Sequence, residues 1–250
     1  MKLQVATATA SVLAVASWVS PVSASVILPG DAADSDINVN NVVVASGLNR
    51  AWNIAGTRST DAAGLRNVLF VFDVSTLPTG GSLESISFNA TYRETWNNAA
   101  LPDGFAVDAY FVGFSSTAAL DNDAPAEMVH VAADTGPGIK IADDLLVKGS
   151  TPANNTLIDE MGLGNDAFLS AMQGRATDGT ENFAVFRINP DVALPPGAPG
   201  FRGFAFYQAN EPAEANRPFL EYTEGVVIPE PGSLSLMSLG LLVIAKRRRR

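Results

Sequence analysis

The 250-residue sequence contains no cysteine and a single histidine, His130. The absence of thiols excludes disulfides, zinc–thiolate sites and cysteine nucleophiles, and one histidine cannot supply a metal triad of histidines. A Gly-x-Ser-x-Gly nucleophile elbow and a Gly-x-x-x-x-Gly-Lys phosphate loop are also missing. Whole classes of hydrolase are therefore excluded. His130 lies between two valines in a strand-like run, and we interpret it as a structural or surface residue.

Positive charge is scarce in the body of the chain. Residues 25–228 contain 10 Lys and Arg against 25 Asp and Glu, which gives this part a net charge of −15. A field of this sign repels nucleic acid and anionic lipid. We therefore expect no nucleic-acid partner.

Residues 1–24 have the three parts of a secretory signal peptide. Lys2 provides the positive start, residues 5–19 are uncharged, and Val22-Ser23-Ala24 is a small-residue cleavage site. We predict cleavage between Ala24 and Ser25. A buried N-terminal helix is the alternative, but an Ala/Val/Ser/Thr run with one charge at its start suits translocation better. Export also explains the missing cysteines, because a chain without thiols neither needs nor risks disulfides in an oxidising compartment.

Residues 229–250 combine three signals in a fixed order. Pro229, Glu230 and Pro231 come first, an apolar run follows at 233–245, and the last residues are Lys246, Arg247, Arg248, Arg249 and Arg250. A helix of this length reaches only about 20 Å, short of a hydrocarbon core of about 30 Å, so we expect a transient transmembrane helix. The terminal positive charges should stay cytoplasmic and stall the chain with its body outside. The proline-rich turn would then stay extended and open to a protease at the outer face.

This arrangement resembles the PEP-CTERM sorting signal of Gram-negative bacteria. The resemblance implies recognition by a membrane protease-transpeptidase, an exosortase. This enzyme would cut near residues 229–231 and pass the protein to the cell surface, the outer membrane or the exopolysaccharide matrix. An ordinary tail anchor is the alternative, but a lasting anchor needs closer to about 20 apolar residues.

The body of the chain shows alternation of period two and little helical periodicity. In the run 85–92, Ile86, Phe88 and Tyr92 fall on one face and polar residues fall on the other, which indicates a half-buried antiparallel strand. One segment, 165–176, predicts a short helix capped at Asn165-Asp166. Turn-rich segments separate the strand-like runs, which are 37–45, 67–74, 85–92, 105–114, 128–132, 183–188, 203–207 and 218–222. The pattern predicts a mainly β fold, a single antiparallel β-sandwich or jelly roll over residues 25–228.

Two stretches of the body resemble the DNRLRE type of jelly-roll module. Residues 66–86 are similar to its strand, Phe-Asp-hydrophobic-Ser-x-Leu-Pro turn and following strand, and residues 216–222 are similar to its last strand. Its first strand would lie at 33–44. The resemblance covers residues 31–223 and implies a β-sandwich of a kind found in bacterial and archaeal surface proteins and likened to carbohydrate-binding modules. Residues 121–165 depart from it and are expected to form a long insertion.

Acidic residues are abundant in the body, and glycoside hydrolysis needs only two carboxylates. A secreted glycosidase or polysaccharide lyase is therefore the alternative function. The same acids could hold calcium, which takes about six to eight oxygen ligands, but no Asp-x-Asp-x-Asp-Gly loop is present and distant loops would have to converge. The acids are expected mostly in loops, where they fit a solvated surface: Asp31, Asp34, Asp36, Asp121, Asp123, Asp143, Asp144, and Glu211 to Glu214.

Two tryptophans of the body, Trp52 and Trp96, lie among polar neighbours near the ends of predicted strands. An exposed indole can stack on a sugar ring, so the pair is the candidate glycan platform, while a Trp that caps the end of the core is the alternative. We thus expect an exported protein of the cell surface or extracellular matrix with a structural or glycan-binding role. No catalytic residue and no cofactor is assigned, with calcium left open. The expected partners are an exosortase and a glycan.

Overall fold

The computed structural model describes residues 25–31, 35–38, 50–58, 65–120, 137–192, 194 and 200–225. These residues form a mainly β fold with one α-helix, which confirms the predicted fold class. The strands are β1 (Ser25–Pro29), β2 (Ser35–Asn38), β3 (Trp52–Thr57), β4 (Leu65–Asp73), β5 (Leu83–Trp96), β6 (Ala106–Ser115), β7 (Ile139–Val147), β8 (Thr156–Met161), β9 (Phe183–Pro190), β10 (Arg202–Tyr207) and β11 (Phe219–Glu224); the helix is α1 (Asp166–Gln173).

The strands pair in one curled antiparallel sheet in the order β1-β11-β5-β10-β3-β4-β9-β6-β7, with β2 added to β4 and β8 added to β5. Within the described residues, strands β3 and β4 share two pairs, Gly56–Arg66 and Thr57–Leu65. The sheet folds over at this short junction. Its first half (β1, β11, β5, β10, β3) then faces its second half (β4, β9, β6, β7), an arrangement consistent with a β-sandwich or jelly roll.

Aromatic side chains join the two halves across the core. Phe88 of β5 stacks on Phe186 of β9 with ring centroids 4.7 Å apart, and Phe72 of β4 meets both rings edge-on. The alternation predicted for β5 places Ile86, Phe88 and Tyr92 in the core as expected. The opposite face of this strand is not open to solvent, however. Asn89 is fully buried there, and its Oδ1 atom accepts a hydrogen bond from the backbone N–H of Glu160 in β8 at 3.0 Å.

The predicted helix is present as α1. Asn165 caps it, since its side chain accepts a hydrogen bond from the backbone N–H of Phe168 at 3.0 Å. Phe168 and Met172 on the inner face of the helix are fully buried in the main core. The helix packs on β5 and β7, which belong to different halves of the sheet.

Four strands were not predicted from the sequence: β1, β3, β7 and β8. Two of them lie in the region expected to be a long insertion. β7 pairs with β6 and β8 pairs with β5, so the described part of this region belongs to the sheet. The predicted strand 128–132 and most of the predicted strand 37–45 lie outside the described residues.

Candidate functional site

The sheet register brings the two candidate tryptophans together. Strand β10 lies between β3 and β5, and it pairs with Trp52 through Tyr207 and with Trp96 through Gly203. The two indole rings are stacked, with centroids 5.7 Å apart and planes inclined by 15°. Both side chains are half-buried. The residues predicted as one platform are therefore neighbours on one surface.

Small residues on β10 allow this approach. Phe204 and Phe206 point into the main core, so strand alternation places Gly203 and Ala205 on the outer face with the tryptophans. Ala205 is nevertheless fully buried, as is Ile54, which shares that face on β3. The outer face of β3, β10 and β5 thus carries a second apolar layer outside the main core.

A third ring and an ion pair complete this surface, which we call the aromatic patch (Trp52, Trp96, Phe201). Phe201 is 39 % exposed and lies 6.0 Å from the Trp96 ring at an angle of 45°. The Arg93 guanidinium lies 4.4 Å from the centre of the Trp52 ring and forms an ion pair with Glu94 at 2.9 Å. The indole N–H of Trp96 is buried without a hydrogen-bond partner.

A second constellation lies in the other half of the sheet. Asp108 of β6, Asp144 of β7 and Asp191 just after β9 place carboxylate oxygens within 4.8 Å of one another. We call these three residues the carboxylate cluster. Asp36, Asp143 and Asp144 were expected in loops, which is wrong, because Asp36 lies within β2 and the other two lie within β7. Asp108 and Asp191 were not predicted as site residues.

The Asp108 carboxylate is fully buried and accepts three hydrogen bonds. Lys140 Nζ lies 2.7 Å and the Tyr110 hydroxyl 3.2 Å from its Oδ2 atom, and the backbone N–H of Asp144 donates to Oδ1 at 2.9 Å. Lys140 also forms an ion pair with Asp143 at 2.6 Å. Burial, followed by the charge of Asp108, raises the pKa of Tyr110 to about 12.

Asp191 is the least compensated member of the cluster. Burial, which is the largest cause, acts together with the negative charges of Asp108 and Asp144 and with hydrogen bonding to both carboxylates, and these effects together raise the pKa of Asp191 to about 7. Its Oδ1 atom is buried and has no hydrogen-bond partner. The local sequence contained one signal for this site, since Asp108 interrupts the apolar run 105–114 in the middle of a strand.

Several predicted residues lie outside the described part of the chain: His130, Ala24, Pro229, Glu230, Pro231, and Lys246 with Arg247 to Arg250. Ser25, the residue after the predicted cleavage point, is the first residue of β1. Within the described ranges, no helix has both the length and the apolar character needed to cross a membrane. The apolar run 233–245, predicted as a transient transmembrane helix, is outside those ranges.

The comparisons with known proteins bear on the C-terminal segment. Residues 227–250 match the family model of the PEP-CTERM protein-sorting motif, which confirms the resemblance of this segment. No curated protein matches the sequence. The chain therefore carries a PEP-CTERM sorting motif, which implies an exported, cell-surface-associated protein of a Gram-negative bacterium that is sorted by an exosortase.

Proposed function

We propose that this exported protein binds a glycan of the cell surface or extracellular matrix through the aromatic patch. The observation that carries the proposal is the stacked pair of Trp52 and Trp96 on the outer face of the sheet, with the exposed Phe201 next to Trp96. A pyranose ring presents C–H groups on its faces and hydroxyl groups at its edge. A row of aromatic rings with polar groups around it offers partners to both.

The stacking geometry leaves aromatic surface for a ligand. The two ring planes are nearly parallel and their centroids are 5.7 Å apart. Because carbon atoms in contact are separated by about 3.5 Å, one ring is displaced sideways from the other by about 4.5 Å. The rings of Trp52 and Trp96 therefore overlap only in part. Because both indoles are half-buried against the sheet, their orientation is set before any ligand arrives, which lowers the entropy cost of binding.

Polar groups surround the rings. Arg93 and Glu94 form an ion pair beside Trp52, and the Tyr207 hydroxyl donates to Asn155 Oδ1 at 2.8 Å. These side chains offer donors and acceptors to sugar hydroxyls. Arg93 also covers part of the Trp52 ring. We therefore expect the sugar to contact mainly Trp96 and Phe201.

A carbohydrate-active enzyme is the alternative, and the carboxylate cluster is the place where its acids would lie. Asp191 has the raised pKa of a general acid. Asp108, however, has no exposed surface and is held by Lys140, Tyr110 and the Asp144 backbone, so it has no direct access to a substrate. This geometry favours glycan binding over glycoside hydrolysis.

A binding experiment tests the proposal. The processed protein, released from the producing cells, is applied to an array of bacterial exopolysaccharides, and affinities are measured for each glycan retained. We expect Trp96→Ala and Phe201→Ala to weaken binding at least tenfold, because each removes stacking surface. Leu163→Ala is the matched control, since Leu163 is also an exposed apolar residue (51 %) but lies before α1.

The melting temperature of each variant is measured alongside binding. Phe201 is exposed, so its replacement should leave stability almost unchanged and separates loss of contact from loss of fold. Unchanged affinity in both patch variants, or no glycan retained at all, would contradict the proposal and would favour a purely structural role in the matrix.

A further inference from the structure

We propose that Asp108, Asp144 and Asp191 form a calcium-binding site in the second half of the sheet. The proposal is independent of the aromatic patch, which lies on strands of the first half. The sequence left calcium open only for acids in converging loops. The carboxylate cluster is instead built from two neighbouring strands and the end of a third.

The sheet geometry builds the cluster. Strand β6 lies between β7 and β9, so groups from both neighbours can reach Asp108. The register of β7 shifts opposite Asp108, and Asp144 there adopts a left-handed conformation with φ 49°. Such a bulge re-aims a side chain, and here it also turns the Asp144 N–H to the Asp108 carboxylate. On the other side, the Asp191 N–H donates to the Ala106 carbonyl oxygen at 3.1 Å.

The charges of these side chains do not balance. Lys140 is the cation in contact with Asp108, and it is shared with Asp143. Asp144 and Asp191 lie in the same carboxylate cluster as Asp108. Together with Asp143, four carboxylates therefore surround one ammonium group. Like charges this close repel each other strongly where burial lowers the local dielectric constant. A divalent cation would remove most of that repulsion.

An unsatisfied oxygen gives an independent indication of a ligand. The Asp191 Oδ1 atom is buried and has no hydrogen-bond partner, although an oxygen in this state costs about 1–3 kcal/mol or more when it is charged. Its neighbours in the cluster, Asp108 and Asp144, are carboxylates and present acceptors to it. The missing partner is therefore a cation or a proton.

Calcium is the cation that these ligands fit. Carboxylate oxygens are hard ligands, and the cluster contains no nitrogen or sulfur ligand of the kind that zinc or copper prefers. Asp144 is exposed, so the site is open to solvent on one side for ion entry and for the waters that complete about six to eight ligands. Extracellular modules bind calcium with dissociation constants of about 10⁻⁴ to 10⁻³ M, and we expect an affinity of this order or tighter.

Calcium titration of the processed protein tests the site. In chelator-treated buffer, about a hundredfold excess of calcium over its dissociation constant should raise the melting temperature by about 5–10 °C. Asp191→Asn and Asp144→Asn should each weaken calcium binding at least tenfold in calorimetry. Asp191→Asn should also raise the melting temperature of the calcium-free protein, because it keeps the shape of the side chain and removes one of the repelling charges.

Two controls separate a site from general charge screening. Asp103→Asn makes the same charge change at an exposed side chain paired with Lys148, and it should leave calcium affinity unchanged. Terbium should give luminescence excited through Tyr110, whose hydroxyl contacts Asp108, and this signal should be lost in Asp191→Asn. An equal response to magnesium at the same concentration, or calcium affinity unaffected by Asp144→Asn and Asp191→Asn, would overturn the proposal.

Discussion

The pairing of two glycines beneath the aromatic patch gives a sharp prediction. Gly56 of β3 and Gly203 of β10 are partners in the ladder, and Gly203 also pairs with Trp96 of β5. A methyl group on Gly203 would overlap the carbonyl oxygen of Ala55 and come within 2.9 Å of the Gly56 Cα atom. Both glycines also have positive φ, at 150° for Gly56 and 143° for Gly203. We therefore expect Gly203→Ala to force β3 and β10 apart.

The cost has two parts. Holding alanine at this φ costs about 1–3 kcal/mol. Moving the strands apart leaves buried backbone groups without partners, at about 1–3 kcal/mol each. We expect a total loss of about 4 kcal/mol in the free energy of unfolding, which lowers the melting temperature by about 8–16 °C in a domain of this size. The same separation should disturb the stacked indoles, because Gly203 is the ladder partner of Trp96.

Gly80→Ala is the matched control. Gly80 also has positive φ, at 60°, but an added Cβ atom there meets no atom within 4 Å. Its replacement should cost only about 1 kcal/mol, from the left-handed backbone alone. Urea unfolding measures both variants, and the circular dichroism of the coupled indoles reports the Trp52–Trp96 stack. If Gly203→Ala lowers the free energy of unfolding no more than Gly80→Ala does, the close approach of β3 and β10 is not what positions the stacked tryptophans.

Three further predictions concern the core, the helix and the termini. Phe88→Ala should lower the free energy of unfolding by about 3–5 kcal/mol in urea titrations, since it removes the ring that stacks on Phe186 between the two halves of the sheet; a loss below about 1 kcal/mol would contradict this packing. Asn165→Ala should cost about 2 kcal/mol in the same assay, because it removes both the cap on α1 and the hydrogen bond that the side-chain amide donates to the Lys140 carbonyl oxygen, whereas Asn165→Ser keeps a cap and should cost about 1 kcal/mol. Intact-mass analysis should find cuts near Ala24 and residues 229–231 in the released protein, and Glu230→Ala should leave the C-terminal segment attached; export of the uncut chain would contradict the trafficking prediction.

Much of the fold was predictable because many of its strands, and its helix, follow local sequence patterns. Strands β4, β5, β6, β9, β10 and β11 alternate or run apolar for several residues, and Asn165 lies where a helix cap is expected. Two of the strands that were missed are interrupted. β3 contains Gly56, and β7 carries Asp143 and Asp144 at its centre, where the backbone bulges. A bulge breaks period two, so alternation does not reveal the strand.

The sequence by itself determined the sorting motif and the fold class. The PEP-CTERM motif is read as a linear segment, and strand alternation depends on neighbours along the chain. Only the tertiary structure decided which side chains meet. Trp52 reaches Trp96 because β10 runs between their strands, and Asp108 meets Asp144 and Asp191 because β6 lies between β7 and β9. Such meetings depend on the pairing and register of strands that are distant in sequence, and no local pattern encodes that order.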